Sequence, residues 1–576
     1  MTQRSPIALA LLTSSLALTA CGGGSDSSEP TPQPPAPSNT APTDIVLSND
    51  SVDENAMGAE IGQLTASDSD SGDSFTFSTE DSRFVIEGDM LSLAADVAMN
   101  YEAMASTEVS VTVTDSAGAT FSKPLTIMVN DLLDYYAFPS RFGADTSVSY
   151  SGQTTRHVLI AELNHYIGNQ LLADLDSGVL TSREEVLAKL NSFYLITPED
   201  YDLVADSFPV SFMEGTTQTV LRDLSSSHKD LSGKIAGNDA VGQYQDWNNG
   251  AFVGWGAAGS TSPEGLVNIL FGLLADNAEQ HLGGAVRMDP FGNPISAIYL
   301  NDQGHDLKQL IQKHLLGAVA YSQGADDYLD NDTEGKGLLA DNVDNVEMKG
   351  YTALEHVYDE GFGYFGAARD YLDYSDDELA AAGGREAYAS GYFDSNGDGT
   401  IDLFSEFNFG NSTNAAKRDR GSAANAMPTD YTAQAMNAFL MGRQIISDAE
   451  GALTEAQATA LQEQVTLALD AWERAIVTTV IHYINDSHAD LATLGTADFD
   501  YATLAKHWSE MKGFALNLQF NRQSPLSAEQ FAQLHSLMGD APVLSGDVAA
   551  YQAQLMQARQ ILATAYGFDP ANVENW

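Results

Sequence analysis

The sequence contains one cysteine among its 576 residues, Cys21. A single thiol can form neither an intramolecular disulfide nor a zinc–thiolate cluster, so neither can stabilise the folded chain. Basic residues are also scarce, because 26 Lys and Arg stand against 80 Asp and Glu, a formal net charge of −54. Phosphate backbones and anionic lipid surfaces repel such a chain, which argues against nucleic acid as a partner and favours divalent cations.

The sequence has no apolar run of the roughly 20 residues that a membrane span requires. Near its start, Arg4 precedes an apolar stretch at residues 7–18, and Leu18-Thr19-Ala20-Cys21 resembles the lipobox of bacterial lipoproteins. The resemblance implies that residues 1–20 are a signal peptide and that Cys21 is lipidated. We therefore expect a lipid-anchored protein of the cell envelope, with the outer membrane favoured because Gly22, and not Asp, follows the cysteine.

Three changes of pattern divide the rest of the chain. Residues 21–43 are rich in Gly, Ser and Pro, which predicts an extended tether. Residues 44–131 hold seven short runs of alternating polarity, which predict a β-sandwich. From residue 135 to residue 576, apolar side chains recur every three or four residues, which predicts a large all-helical domain, either one bundle or two smaller ones. The predicted fold is thus a multidomain chain with a β-sandwich followed by helices.

Particular segments of the helical region carry this prediction. Helices are predicted at residues 155–172, 304–321, 351–371, 430–447, 454–484, 502–520, 528–538 and 547–565. Another helix is expected to begin at Thr181-Ser182-Arg183-Glu184, which has the sequence of a capping box.

The sandwich region carries the motifs of one cadherin repeat. They are Val52-Asp53-Glu54-Asn55, Asp68-Ser69-Asp70-Ser71-Gly72, Asn100-Tyr101-Glu102, Val113-Thr114-Asp115 and Val129-Asn130-Asp131. The resemblance implies a Greek-key fold and calcium bound at the junction of successive repeats. Carried over by motif, the ligands would be Glu54, Asp68, Asp70, Glu102, Asp115, Asn130 and Asp131. Since the chain has a single repeat, half of such a junction is missing, and a spacer with weak or incomplete calcium binding is the alternative.

Residues 394–406 resemble the calcium loop of an EF-hand. Oxygen-bearing side chains stand at positions 1, 3, 5, 7 and 9, with glycine at position 6 for the sharp turn. Position 12 is Ser405 instead of the usual bidentate glutamate, and Glu406 comes one residue later. The expected ligands are Asp394, Asn396, Asp398, Thr400, Asp402 and Glu406. The alternative is a turn of Asp, Asn and Gly residues held by its own hydrogen bonds.

Two helical segments place a histidine beside acids. His356 lies one helical turn from Asp359 and Glu360, and Glu162 precedes His165 by three residues. Such pairs project from facing helices in four-helix metal sites, so these five residues are candidate ligands of a transition metal. The alternative is that both histidines are packing or surface residues.

Several stretches of the helical region resemble a family of bacterial envelope lipoproteins known only as a domain of unknown function. They are residues 152–156, 355–366, 442–443, 472–485 and 507–514. That family is similar in style to the imelysins, helical envelope proteins with a His-x-x-Glu motif that are linked to iron uptake. The position three residues after His356 is Asp359 instead of Glu.

These resemblances favour a non-enzymatic lipoprotein that binds Ca²⁺ and a transition metal such as iron in envelope metal uptake, with an outer-membrane uptake receptor as an expected partner. One alternative is a calcium-dependent adhesion protein that uses the cadherin-like repeat. A second is a metallopeptidase of the imelysin type.

Overall fold

The structure is a computed structural model that describes residues 38–95, 97–101, 104–239, 243–449 and 451–576. The expected signal peptide, the lipidation site Cys21 and most of the expected tether lie outside these residues. The chain divides into two compact units between Asn130 and Asp131. A β-sandwich followed by a large helical region confirms the predicted fold class.

The described residues of the first unit form two four-stranded sheets, in the orders β1-β3-β6-β5 and β2-β8-β7-β4. The strands are β1 Asp44–Leu47, β2 Ser51–Asp53, β3 Glu60–Ser67, β4 Thr76–Thr79, β5 Phe84–Glu87, β6 Met90–Leu93, β7 Ser106–Thr114 and β8 Thr120–Asn130. Seven of them fall on the seven predicted runs. The sequence missed β2, whose three residues are too few to show an alternating pattern and which pairs in parallel with the end of β8.

Apolar and polar side chains alternate along the strands, and the apolar ones form the core of the sandwich. In β7, Val109, Val111 and Val113 are buried while the residues between them are exposed or partly exposed. These valines pack with apolar side chains of both sheets, among them Ile45, Leu91 and Ile127.

The second unit is built from helices that share a continuous apolar core. They are α1 Ser151–Asn169, α2 Leu171–Asp176, α3 Arg183–Tyr194, α4 Pro198–Val204, α5 Leu221–Leu224, α6 Pro263–Leu282, α7 Leu307–Leu315, α8 Ala353–Phe365, α9 Asp376–Leu379, α10 Asn411–Ser422, α11 Tyr431–Asp448, α12 Glu455–Ala492, α13 Tyr501–Ala515, α14 Ala528–Met538, α15 Val548–Tyr566 and α16 Pro570–Asn575. Short 3-10 turns lie at Ser232–Lys234, Trp247–Asn249, Gly337–Leu339, Val346–Met348, Tyr371–Asp373 and Leu516–Gln519. In the described part of the chain, no helix combines the length and apolar character of a membrane span.

Side-chain caps fix where several helices begin. At α3 the N-cap is Ser182, whose hydroxyl accepts from the backbone N–H of Glu185, and Glu185 in turn accepts from Thr181. The predicted capping box was therefore one residue early. Thr454 and Gln457 form a complete capping box at the start of α12, which runs eight residues beyond its predicted end.

Beyond α7 the chain continues in the wider π-helical conformation at Leu316–Tyr321 and Gly324–Tyr328. These turns pack tightly against α12: a Cβ added at Gly324 would lie 2.7 Å from ring carbons of Trp472. A side chain at position 324 would therefore displace a buried tryptophan, which explains glycine there.

Candidate functional site

The loop at residues 394–406 directs its first acidic side chain at its own backbone. Asp394 accepts hydrogen bonds from the N–H groups of Asp398 (3.1 Å) and Gly399 (2.8 Å). Asp398 accepts from the N–H and the hydroxyl of Thr400, both at 2.8 Å, and these bonds lower its pKa. The chain is therefore folded tightly around the side chains at positions 1 and 5, an arrangement that fits an oxygen-lined cation loop and equally a turn held by its own hydrogen bonds.

Glu406 lies beneath the same loop although it comes one residue late. It is buried, and one carboxylate oxygen accepts from the N–H groups of Ser395 (3.0 Å) and Asn396 (3.1 Å). The other oxygen accepts from the N–H of Asp402 at 2.8 Å. Among the predicted ligands, Glu406 thus contacts the backbone at positions 2, 3 and 9 of the loop.

The loop is attached to a neighbouring segment rather than flanked directly by two helices. Ile401 forms a parallel β-bridge with Thr216. The N–H of Ile401 donates to the carbonyl of Gly215, and its carbonyl accepts from the N–H of Thr217, both at 2.9 Å. Asp402 accepts from the side-chain amide of Gln218 at 2.9 Å. Residues 394–406 and residues 215–218 are therefore joined by both backbone and side-chain hydrogen bonds.

On α8, His356 faces one acid of the predicted metal set and not the other. Its Nδ1–H donates to the carbonyl of Ser149 at 2.9 Å, and its Nε2 lies 3.8 Å from Glu360 Oε1. The imidazole stacks on Tyr351, with ring centroids 4.6 Å apart. Glu360 also accepts from Gln153 at 2.8 Å. His356 and Glu360 therefore form a half-buried pair.

Asp359 points into the core and pairs with Arg443 of α11. Its Oδ1 accepts from Arg443 Nε at 2.8 Å and from the hydroxyl of Tyr136 at 2.9 Å, and its Oδ2 accepts from the N–H of Ser149 at 3.0 Å. Both charged side chains are fully buried. Burial raises the pKa of Asp359, and the Arg443 charge opposes that shift. Asp359 thus compensates a buried guanidinium, a role that its spacing from His356 does not reveal.

Glu162 and His165 do not share partners. Glu162 is buried and accepts from the N–H groups of Ser211 and Phe212, the latter at 2.8 Å, so it holds the backbone of that loop. His165 is partly exposed and its Nδ1 accepts from Asn169 at 3.1 Å. Their hydrogen bonds support a structural role for Glu162 and give His165 a neighbour on its own helix.

The predicted ligands of the cadherin-like repeat lie at the two ends of the sandwich. Glu54 accepts from the N–H of Tyr101 at 2.7 Å, and its own N–H donates to the carbonyl of Asn130 at the end of β8. Asp115 lies in the hairpin before β8. Eleven residues of β-strand separate these ends by roughly 33 Å, so the predicted residues cannot share one ion. Asp131 is exposed and begins the second unit, and Glu102 lies outside the described residues.

Three carboxylates meet at the Asp115 end. Asp68, Asp70 and Asp73 each offer an oxygen within 4.8 Å of the others, a grouping found for no other set of His, Cys, Asp or Glu among the described residues. Asp70 accepts from the N–H of Thr40 at 2.6 Å, and Asp115 accepts from Asn39 at 2.8 Å. Asp73, which lies just beyond the Asp-x-Asp motif, was not among the predicted ligands.

One family match lies within the second unit. A family model described as "Domain of unknown function (DUF4856)" matches residues 135–569. No curated protein matches the sequence. A crystal structure of human protocadherin-24 EC1-2 shares 22% identity, covers 18% of this chain and 48% of its own chain, and has a TM-score of 0.15. The chain thus spans about half the length of that structure.

Proposed function

Since the chain belongs to the DUF4856 family, whose description names no activity, we propose from its own geometry that it is a non-enzymatic, calcium-binding protein of the bacterial cell envelope. Its lipid on Cys21 would provide the anchor. Calcium would bind at residues 394–406 of the helical unit. A chain of net charge −54 attracts divalent cations over its whole surface, which assists binding at such a loop.

The observation that carries the proposal is the position of Glu406. An EF-hand requires a carboxylate that reaches back under the loop, and the sequence supplies it one residue late. In the structure Glu406 nevertheless contacts the backbone of Ser395, Asn396 and Asp402. A small rotation of this side chain, or of Asp394, would exchange backbone donors for an ion.

Calcium at this loop would stabilise the segment attached to it. The bridge from Ile401 and the hydrogen bond from Gln218 to Asp402 link the loop to residues 215–218. An ion that orders residues 394–406 would therefore order both segments together. We propose this structural role rather than a signalling one, because the loop lacks the pair of flanking helices that open in calcium sensors.

Uptake of a transition metal is the second candidate function, and it needs a site of its own. The predicted set on α8 is reduced to His356 and Glu360, because Asp359 is paired with Arg443. Two ligands on one helix are fewer than the three protein ligands typical of catalytic zinc sites.

Calorimetric titration of the mature chain with Ca²⁺ tests the proposal. We expect Asp394→Ala and Asp398→Ala each to remove one binding event. At a calcium concentration 100 times the dissociation constant, the wild-type helical unit should gain about 2.7 kcal/mol in its free energy of unfolding, and neither variant should.

Asp302→Ala is the matched control, since Asp302 is an exposed loop aspartate of the same unit. Asp70→Ala distinguishes calcium bound by the sandwich from calcium bound at residues 394–406. If calcium binding is lost only in Asp70→Ala, the loop is not the site and the proposal is wrong.

A further inference from the structure

A mainly polar cavity of about 310 Å³ lies in the second unit at the start of α1. Residues 149–151 line it from that end of the helix, and Tyr135 and Arg369 line it from other segments. Its volume is at the lower end of the range of about 300–1,000 Å³ that is typical of pockets for small molecules. The predicted sites did not include this cavity, although Asp402 of the loop at residues 394–406 forms part of its wall.

Arg369 supplies a positive charge to the wall of the cavity. Its Nε donates to the hydroxyl of Tyr150 at 3.1 Å, and the described residues provide no acceptor for the two other nitrogens of its guanidinium. Its backbone is fixed, because its N–H donates to the carbonyl of Ser405 at 2.8 Å and its carbonyl accepts from the N–H of Tyr136 at 2.9 Å. A planar guanidinium with two available nitrogens matches the two oxygens of a carboxylate.

Two tyrosines stand beside this guanidinium. Tyr150 is buried, and its hydroxyl donates to the carbonyl of Phe404 while it accepts from Arg369, so it orients the arginine. Burial raises the pKa of Tyr135 to about 12, although the charge of Arg369 acts in the other direction. The Tyr135 hydroxyl therefore stays protonated at neutral pH and can donate to an anion in the cavity.

The first turn of α1 favours negative charge at the same place. Its N-cap residue, Tyr150, provides no side-chain cap, and the turn contains no acid. The N–H groups of Ser151 and Gly152 have no acceptor among the described residues. The N-terminus of a helix carries about half a positive charge. Ser149 holds this end in position, because its N–H donates to Asp359 at 3.0 Å.

The negative charges nearest to the cavity already have partners. Both oxygens of Asp402 accept hydrogen bonds, one from Gln218 at 2.9 Å and the other from Ser405 at 2.8 Å. Asp359, which acts on Arg369, is paired with Arg443. Charges more than roughly 8–10 Å away are largely screened at physiological ionic strength, so the net charge of the chain does not exclude an anion here.

We propose that this cavity binds a small organic monocarboxylate, which pairs with Arg369 and accepts a hydrogen bond from Tyr135. The rings of Tyr135, Tyr150 and Phe404 line the cavity and would contact the body of the ligand. One guanidinium and a helix N-terminus balance one negative charge, whereas inorganic phosphate at neutral pH carries nearly two. This site goes beyond the calcium function proposed above and does not depend on it.

NMR titration of the full chain with acetate and benzoate tests the site. We expect saturable binding of one benzoate per chain. Benzamide, which has the shape of benzoate without its charge, and inorganic phosphate should each bind roughly 10-fold more weakly or worse. Arg369→Gln should weaken benzoate binding about 10- to 100-fold, because hydrogen bonds between charged groups are lost.

Ser151→Asp is a second variant that should fold normally and still lose binding. Ser151 is exposed and is the first residue of α1, so an aspartate there suits the helix N-terminus but repels an anion in the cavity. Ala528→Asp is the matched control, since Ala528 is the exposed first residue of α14 and does not line the cavity. Circular dichroism reports that each variant is folded.

Three results would overturn the proposal. They are the absence of acetate and benzoate binding by the parent chain, parent affinity for benzoate in both Arg369→Gln and Ser151→Asp, and binding of phosphate that is tighter than that of benzoate. Calcium titration without added carboxylates tests residues 394–406 separately, so neither proposal falls with the other.

Discussion

Helix α8 and the helix pair α12–α13 both place acids one turn from a histidine, but the fold uses those acids differently. On α8, Asp359 is fully buried against Arg443, which leaves His356 with Glu360 alone. On α12, Asp486 is one-third exposed and lies between the imidazoles of His482 and His507. The comparison shows that the same spacing of acid and histidine along a helix can place the acid in the core beside an arginine or near the surface beside histidines.

Removing each carboxylate in turn is the most direct test of this comparison, and it has the largest expected effect. Asp359→Ala should lower the free energy of unfolding by about 3–5 kcal/mol, because it leaves the buried Arg443 without its closest counter-charge. Asp486→Ala should cost less than about 1 kcal/mol, since its partners are partly solvated. Denaturant unfolding measures both. Equal losses would mean that the two carboxylates have the same structural role.

A second prediction concerns the packing that positions α12. Gly324→Ala should destabilise the protein by about 1–3 kcal/mol, because the added methyl group would lie 2.7 Å from the Trp472 ring. Gly272→Ala in α6 is the control: its Cβ would meet nothing nearer than Arg183 at 3.6 Å. There alanine should stabilise by about 0.5–1 kcal/mol. Thermal unfolding compares the two, and a neutral Gly324→Ala would show that α12 is not held by this contact.

A pH-dependent effect is expected at Asp370, an acid just beyond α8 that is buried and whose carboxylate oxygens have no hydrogen-bond partner in the described structure. Burial and the nearby Asp373 raise its pKa to about 8. Because the folded state then holds a proton that the unfolded state releases above about pH 4, stability should fall as pH rises from about 4 to about 8.

The slope attributable to Asp370 should be at most about 1.4 kcal/mol per pH unit, and Asp370→Asn should remove it. Chemical denaturation at several pH values measures the slope. An unchanged slope in Asp370→Asn would show that Asp370 is ionised in the folded protein.

Local patterns in the sequence predicted the helices and strands well, but they did not predict which distant side chains contact each other. The alternation in β7 and the threonine cap of α12 are visible in the sequence because each depends on residues a few positions apart. The pairing of Asp359 with Arg443 joins residues 84 positions apart, and nothing near His356 indicates it. Helix α6 could have been found, because Ser262 and Pro263 give an N-cap followed by proline at the first turn.

The candidate sites also differ in whether their residues are close in the sequence or are brought together only by packing. Residues 394–406 form a contiguous motif, so every expected ligand of the loop could be named from the sequence, and calcium binding there stays a prediction. Arg369 and Tyr150, which line the polar cavity, are 219 residues apart, and only the packing of the second unit brings them together. In the sandwich, the cadherin motifs did not show that Glu54 and Asp115 lie at opposite ends of β8.

The buried Arg443 cluster also has a consequence for the order of folding. Arg443 donates to Ser147 across 296 residues, and it compensates Glu355 and Asp359 as well. During synthesis from the N-terminus, Glu355 and Asp359 would lack the Arg443 cation until residue 443 has been added. Contacts of such long sequence separation slow folding, so the helical unit should remain sensitive to proteases until α11 has been added.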